Sequence, residues 1–262
     1  MRKRLSALLF LCVLLLFTYT GNVYGEYIYS ISTLENNVIK FNGNNANGNI
    51  KVMVEKDKEK YYYNLNKPEE LIPMQLGKGN YSVKVLEKIS GNKYKVIGKK
   101  EINVIKEMGN EVFLNSSQPV YWKDEVELIK LTKNIVKDKN TEKEKVEAVY
   151  NYVINSIEYD YNKINNINDN YVPELDKILS IKKGICYDYA SLLAGMLRSE
   201  GIPTKLVKGY KDDLKEYHAW NEVFLEGKWQ IIDTTYDSAL KNSKHKASMI
   251  KSNNLYTKVR EY

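Results

Sequence analysis

The stretch that decides the fold is residues 184–198, GICYDYASLLAGMLR, in which Cys186 stands just ahead of an apolar run. Apolar residues then recur at positions 189, 190, 193, 194 and 197, the spacing of a buried helical stripe. Gly184 interrupts whatever precedes this run, and Gly201 followed by Pro203 ends it. We therefore predict a largely buried helix that carries Cys186 in its first turn.

A cysteine at the start of a helix suits nucleophilic chemistry. The unpaired N–H groups and the positive end of the helix dipole favour the thiolate form of the side chain. The same N–H groups can stabilise an oxyanion that forms on a carbonyl under attack. An inert buried cysteine is the alternative interpretation of this segment, so a catalytic role depends on a base elsewhere in the chain.

Two histidines are available as that base, and their surroundings differ. His245 stands between two lysines in a tail without apolar periodicity, which predicts a solvated side chain. His218 opens the segment HAWNEVFL (218–225), and Glu226-Gly227 predicts a hairpin turn before the return strand KWQIIDTT (228–235).

The register of this hairpin predicts which side chains meet. A two-residue loop pairs Leu225 with Lys228, which places Thr235 opposite His218 and Asp233 diagonally on the same face. Diagonal Cβ atoms lie about 7–8 Å apart, close enough for an imidazole and a carboxylate to bond. We predict that Asp233 orients His218, which in turn faces Cys186; an ordinary amphipathic hairpin is the alternative.

Together the three segments resemble the transglutaminase-like superfamily. Residues 184–190 match its cysteine box, G-x-C-x-[DE]-[YF]-[AS], residues 218–223 match H-A-W-x-E-V, and residues 229–235 match W-x-x-[IVL]-D-[PT]-T. The resemblance covers about residues 120–240, with the Cys-to-His gap spanning 186 to 218 and the His-to-Asp gap 218 to 233. Thr234 stands where many members have proline, a departure that concerns strand termination rather than chemistry.

The resemblance implies an α+β, papain-like transglutaminase core in which the cysteine helix packs on an antiparallel sheet. It implies that Cys186 is the nucleophile, His218 the general base and acid, and Asp233 the residue that orients His218. It implies neither a cofactor nor a metal, because the acidic loops of calcium-dependent members are absent from the sequence. Members often add a Trp, Tyr or Gln side chain to the oxyanion site; the candidates here, without a matching motif, are Tyr171, Gln118 and Trp122.

The implied chemistry is acyl transfer through a thioester. The Cys186 thiolate attacks an amide and His218 protonates the departing amine. A lysine amine as acceptor gives an isopeptide crosslink, whereas water gives deamidation or peptide cleavage. Glutamine–amine crosslinking or deamidation of protein or peptide substrates is the first expectation. A cysteine protease or amidase of the same fold is the second, and a non-catalytic binding module is the third.

Outside these motifs, the chain divides into segments of different character. We predict a signal peptide at 1–25, a small all-β sandwich at 26–106, a linker at 107–119 and the catalytic domain at 120–262. Short alternating runs separated by turn signals such as Lys78-Gly79-Asn80 indicate the sandwich. Further predictions are a helix over 124–136, a capping box at Thr141 and Glu144, and an Asn-rich loop over 162–170 without structure of its own.

The first residues predict secretion. Arg2-Lys3-Arg4 precedes an apolar run from Leu5 to Phe17, and Val23-Tyr24-Gly25 offers a cleavage site after Gly25. An uncleaved anchor is the alternative, but the run falls short of the roughly 20 residues that span a bilayer. A secreted protein of this kind can associate with the cell wall or cell surface, which is a further expectation.

Composition excludes several other classes. The 262 residues are 43% hydrophobic and 28% charged, a globular balance that excludes wholesale disorder and a membrane-embedded body. Two cysteines cannot make a disulfide scaffold. Without the three basic residues of the leader, 37 basic residues face 33 acidic ones, a net charge of +4 that predicts no nucleic-acid partner.

Overall fold

The computed structural model describes residues 23–24, 27–34, 36–43, 48–107, 109–241 and 248–262. Nearly all of the predicted signal peptide and the predicted solvated His245 lie outside these described residues. Among the residues described, no helix combines the length and the apolar character that a membrane crossing requires.

The N-terminal region forms two four-stranded antiparallel sheets, ordered β1-β2-β3-β6 and β5-β4-β7-β8. A shared apolar core, with Phe41 and Ile72 from the first sheet and Val52 and Tyr81 from the second, lies between them. Alternating burial along the strands produces this arrangement, since every second side chain faces the opposite sheet. The strands are β1 (Val23–Tyr24), β2 (Tyr27–Leu34), β3 (Val38–Gly43), β4 (Ile50–Lys56), β5 (Glu59–Asn64), β6 (Glu69–Pro73), β7 (Gly79–Ser90) and β8 (Lys93–Val104).

The following region is built from helices packed on a five-stranded sheet of order β14-β13-β12-β11-β15, with a separate parallel pair β9-β10. A short 3-10 helix at Asn110–Leu114 precedes it. The helices are α1 (Val126–Val136), α2 (Glu142–Ser156), α3 (Tyr161–Ile164), α4 (Leu175–Ile181), α5 (Cys186–Ser199) and α6 (Thr234–Leu240). The strands are β9 (Glu158–Tyr159), β10 (Lys183–Gly184), β11 (Thr204–Lys211), β12 (His218–Leu225), β13 (Lys228–Ile232), β14 (Ile250–Lys251) and β15 (Tyr256–Glu261), and a 3-10 turn (Asn253–Leu255) precedes β15.

Helix α5 is the centre of this region. Leu192, Leu193 and Met196 are fully buried, and they join Val223 and Ile232 of the sheet in one core cluster. The predicted α+β fold class, with the cysteine helix packed on an antiparallel sheet behind a small all-β region, is confirmed. The boundaries at 26–106, 107–119 and 120–262 stay predictions.

Local signals explain where several helices begin. The predicted capping box is present at α2, because the Glu144 N–H donates to the Thr141 hydroxyl while the Glu144 carboxylate accepts from the Thr141 N–H. The predicted helix over 124–136 is also present, although it begins at Val126. Its first turn is capped from a distance by Asp176, whose carboxylate accepts the Leu128 N–H at 2.8 Å.

Two details of the sequence interpretation are wrong. The Asn-rich loop is not wholly without structure, because the short helix α3, which the Asp160 carboxylate caps, overlaps its first residues. The return strand of the hairpin ends at Ile232, so Thr235 lies in α6 and does not pair with His218. The strand stops there because the Asp233 side chain accepts the Tyr236 N–H and so starts a helix.

The two regions contact each other through polar and aromatic groups. The Gln118 side chain accepts the Asn64 N–H at 2.9 Å and donates to the Asn64 carbonyl at 2.8 Å. The ring of Tyr262 packs edge-on against Tyr61 and Tyr63 of the sandwich. These contacts lie next to the start of α5, since Tyr262 also packs on the cluster that holds Cys186.

Candidate active site

Cys186 is the first residue of α5 and is half-buried, as predicted from its place before the apolar stripe. Its N–H lies in the first turn, where a helix offers no internal acceptor. The Ile185 N–H donates to the Asp188 carboxylate at 2.8 Å, which fixes the helix start. Gly184 is needed here because a Cβ at that position would lie 2.6 Å from the Cβ of Asp188.

The hairpin has the predicted register. Leu225 pairs with Lys228 across the Glu226-Gly227 turn. The ladder continues to the pair Asn221 and Ile232, after which Asp233 leaves the strand as the N-terminal cap of α6. Both turn residues have positive φ, 53° at Glu226 and 77° at Gly227, as a tight two-residue hairpin requires.

Asp233 holds the imidazole of His218. The Nε2 of His218 lies 2.8 Å from Oδ2 of Asp233, to which its N–H donates. The other carboxylate oxygen, Oδ1, accepts the Tyr236 N–H at 3.0 Å, and the Tyr256 hydroxyl donates to Oδ2 at 3.1 Å. Asp233 is fully buried, so its orientation is fixed by these bonds rather than by solvent.

The electrostatics of His218 link it to both partners. Burial opposes its charged form, but hydrogen bonds with Asp233 and Cys186, together with their charges, raise its pKa from 6.5 to about 10. Because Nε2 is occupied by Asp233, the other ring nitrogen is the one available to exchange a proton with Cys186. The raised pKa therefore favours the charged imidazolium form of His218.

An open cleft gives access to these groups. Its volume is about 740 Å³, and both Cys186 and His218 line it. Aromatic and aliphatic side chains form much of its wall, while Glu158 and Glu216 add negative charge. A cleft of this volume lies within the range of about 300–1,000 Å³ that is typical of ligand-binding pockets. The apolar part of the wall consists of Tyr159, Tyr161, Ile164, Leu214, Tyr217, Tyr236 and Ala239.

The three side chains considered for the oxyanion site are occupied elsewhere. The Trp122 indole N–H donates to the Leu114 carbonyl at 3.1 Å. The Gln118 amide donates to Asn64 and Glu70, and the Tyr171 hydroxyl donates to Asp188. The backbone N–H groups at the start of α5 are the hydrogen-bond donors nearest to Cys186 in sequence. They are therefore the candidates to stabilise an oxyanion at this site.

The sequence analysis missed two contacts near the site, the pair of Asp188 with Lys163 and the bond from Tyr256 to Asp233. Asp188 lies within the cysteine motif, but its partner Lys163, 2.6 Å away, comes from a loop that was expected to lack structure. Tyr256 reaches Asp233 from β15, beyond the matched motifs, and only the pairing of β15 with β11 brings it there. The local signal for Asp188 was its place three residues after Ile185, from which its carboxylate accepts the Ile185 N–H.

No metal centre is found in the part of the chain that the structure describes, where no group of three or more His, Cys, Asp or Glu side chains is arranged to hold an ion.

Comparisons with known proteins agree with this geometry. Residues 129–234 match the family model of the transglutaminase-like superfamily. Kyphoscoliosis peptidase from Homo sapiens is 31% identical over 123 residues, and the protein of the same name from Mus musculus is 30% identical. In both cases the match covers 43% of this chain and 18% of the relative, so the chain spans less than a fifth of the length of these relatives.

Solved structures also match the chain, at lower identity. A proposed cysteine protease from Cytophaga hutchinsonii has a TM-score of 0.48 at 17% identity, covering 91% of this chain and 72% of that one. Red sea bream transglutaminase has a TM-score of 0.34 at 14% identity, covering 76% of this chain and 48% of that one. Residues 129–234 are thus similar to the transglutaminase-like superfamily, and the match covers less than half of the chain.

Proposed function

We propose that the protein is a cysteine acyl-transfer enzyme that acts on protein or peptide amides through a thioester on Cys186. The observation that carries this proposal is a single connected arrangement. One ring nitrogen of His218 is bound to Asp233 at 2.8 Å, the imidazole also interacts with Cys186, and Cys186 and His218 open onto one cleft.

Each residue has a distinct part in the reaction. The Cys186 sulfur attacks the carbonyl carbon of the amide, and the electron pair of the C=O bond moves to oxygen. When the C–N bond breaks, the imidazolium of His218 gives its proton to the departing amine. Asp233 keeps the ring in place and stabilises its positive charge.

The acceptor that then attacks the thioester decides the activity. Transfer to an amine, which yields a glutamine–amine crosslink, and deamidation by water are the outcomes that we propose first. Hydrolysis of a peptide bond is the second, and it is favoured by the similarity to proteins named kyphoscoliosis peptidase. The basic start and apolar run of residues 2–17 support secretion as part of the same proposal.

One experiment separates these outcomes. The protein is incubated with a glutamine-containing peptide and a fluorescent primary amine, while ammonia release, amine incorporation and peptide cleavage are followed in the same sample. Ammonia with incorporation indicates transfer, ammonia alone indicates deamidation, and new peptide termini indicate proteolysis. Cys186→Ala is the control, because each signal must disappear with the sulfur.

A binding module without turnover remains the competing function, and reactivity distinguishes it. Iodoacetamide near pH 6 should modify Cys186 much faster than it modifies a cysteine in an unstructured peptide, since only a thiolate reacts quickly at that pH. Slow modification, together with no product in the three assays, would exclude the enzymatic proposal.

A further inference from the structure

Large apolar side chains stay exposed in the cleft that Cys186 and His218 line. Tyr161 is 73% exposed, Tyr217 is 46% exposed and Ile164 is 41% exposed, and all three line this same cleft. Single exposed apolar residues are common on protein surfaces, but a group of them around one concave site is typical of a surface that another molecule covers. The cleft therefore offers an apolar binding surface next to the proposed nucleophile.

The first segment that supplies these side chains consists of β9 and α3. Strand β9 pairs with β10, the short strand that precedes α5, and this pairing places Tyr159 opposite Gly184. The ring of Tyr161 packs edge-on against the ring of Tyr159, with 4.9 Å between the two centroids. The Lys163 ammonium of α3 lies 2.6 Å from the Asp188 carboxylate of α5. These contacts attach the whole segment to the start of the cysteine helix.

The second segment is the loop between β11 and β12, from which Leu214 and Tyr217 line the cleft. The Tyr236 hydroxyl of α6 donates to the Asp213 carboxylate at 2.8 Å, so the loop is tied to the helix that follows the hairpin. Tyr217 directly precedes His218, the first residue of β12. The strand that positions the imidazole therefore also positions this ring, and less conformational entropy is lost when a ligand binds.

Charged side chains in the cleft add a second criterion for the ligand. Among the lining residues that the structure describes, Glu158 and Glu216 carry carboxylates and Lys241 carries an ammonium. Lys183 lies 3.9 Å from Glu158, but both of these side chains are largely exposed, so solvent weakens the pair. An acidic group of the ligand would therefore meet more negative than positive charge, whereas a neutral apolar group would meet no such repulsion.

We propose that this apolar surface selects the substrate by binding a large aromatic or aliphatic side chain of the peptide beside the reacting amide. This proposal deepens the proposed function and rests on it. Tyr161 and Tyr217 determine specificity and take no part in proton transfer. The aliphatic side chains of Ile164 and Leu214 favour a peptide over a glycan as the occupant, because aliphatic groups gain most when another apolar group covers them.

The test uses alkylating reagents that share one reactive group and differ in the side group. Iodoacetamide has no side group, N-(2-phenylethyl)iodoacetamide adds an aromatic ring, and N-(2-carboxyethyl)iodoacetamide adds a carboxylate on the same linker. Labelling of Cys186 is read by mass spectrometry, and each rate is divided by the rate for an unstructured cysteine peptide. This rate ratio should be about tenfold higher for the aromatic reagent than for iodoacetamide, and it should be lowest for the acidic reagent.

Two variants locate the preference on the cleft. Tyr161→Ser and Tyr217→Ser each remove an exposed ring, so the folded core stays intact. Each should lower the preference for the aromatic reagent over iodoacetamide several-fold. Tyr62→Ser is the matched control, because Tyr62 is a 55% exposed tyrosine on β5 that does not line this cleft. The control should keep the wild-type preference.

Three outcomes would overturn the proposal, and they differ in what they leave standing. Equal rate ratios for the aromatic reagent and iodoacetamide, or a preference that persists in both cleft variants, would exclude the subsite and leave the proposed function intact. Protection of Cys186 by an N-acetylglucosamine oligomer, without an aromatic preference, would assign the rings to a glycan. A Cys186 that reacts with iodoacetamide near pH 6 no faster than the peptide would overturn the proposed function as well.

Discussion

Two buried carboxylates, Asp188 and Asp233, bind the residues Ile185 and His218 respectively, and their partners give them different roles. Both side chains are fully buried. Asp188 binds the Lys163 ammonium at 2.6 Å and the Ile185 N–H at 2.8 Å, so it ties the start of α5 to the neighbouring loop. Asp233 binds an imidazole, a group that gives up and takes back a proton.

The contrast shows that burial of a carboxylate does not by itself indicate catalysis. Burial, followed by the charge of Asp188 and a hydrogen bond to it, raises the pKa of Tyr171, so this phenol keeps its proton. Asp188 therefore has a structural role at the start of α5. On the Asp233 side, the pKa of His218 is raised to about 10 and its protonation responds to Cys186. That side performs the chemistry that we propose.

Removal of the sulfur should have the largest effect on activity and almost none on either carboxylate network. Cys186→Ala should lower turnover by at least about 10⁴-fold, as loss of a nucleophile does in triad enzymes. Its thermal midpoint should stay close to that of the wild type, because the residue is only half-buried. A large drop in the midpoint would show instead that Cys186 serves packing.

Loss of the Asp233 charge should reduce activity by about 10²–10⁴-fold while the protein remains folded. Asp233→Asn still offers an oxygen to the Tyr236 N–H, so the start of α6 is preserved. The pKa of His218 should fall, because the hydrogen bond and charge of Asp233 are among the causes that raise it. NMR titration in a His245→Gln background, where His218 is the single imidazole, measures this directly.

The sign of the stability change follows from the same pKa. Because the folded-state pKa of His218 is raised above 6.5, its contribution to stability is complete below about pH 6.5 and is lost as the pH rises through about 10. Asp233→Asn should flatten this loss in urea titrations between pH 6.5 and 10. If the free energy of unfolding of Asp233→Asn falls with pH as steeply as that of the wild type, Asp233 does not raise the pKa of His218.

Replacement of Asp188, the other carboxylate, should lower the free energy of unfolding much more than it lowers turnover. Asp188→Asn leaves the partly buried Lys163 ammonium without its counter-charge, which should cost about 3 kcal/mol in urea unfolding. Activity per folded molecule should fall only a few-fold. Lys163→Met in the Asp188→Asn background should recover part of the stability, and the double-mutant cycle isolates the pair. An Asp188→Asn variant that is stable but inactive would contradict the structural role that we assign to Asp188.

The smallest expected effect concerns the hydroxyl behind Asp233. Tyr256→Phe removes one hydrogen bond of 3.1 Å to the carboxylate, worth about 1 kcal/mol, and should slow turnover a few-fold. Tyr150→Phe is the matched control, because it removes a similar bond of 2.9 Å from Asp237 and leaves Asp233 untouched. Equal kinetics in the two variants would show that Tyr256 serves stability alone.

Short-range patterns predicted much of this molecule. The helix that starts at Cys186, the capping box at Thr141 and the hairpin pairing of Leu225 with Lys228 are all present, because periodicity and turn chemistry depend on neighbouring residues. The same local patterns placed the end of the return strand too late, at Thr235 instead of Ile232. Strand propensity continues through Thr234 and Thr235, whereas the capping side chain of Asp233 is what starts the helix.

By itself, the sequence determined which three residues carry the chemistry that we propose, and it placed Cys186 at the start of a helix and His218 on a strand. Only the tertiary structure decided that Lys163 binds Asp188 and that Tyr256 reaches Asp233. These are contacts between segments far apart in the chain. Their formation depends on how sheets and helices pack, and no local pattern records which distant side chain will fill a given space.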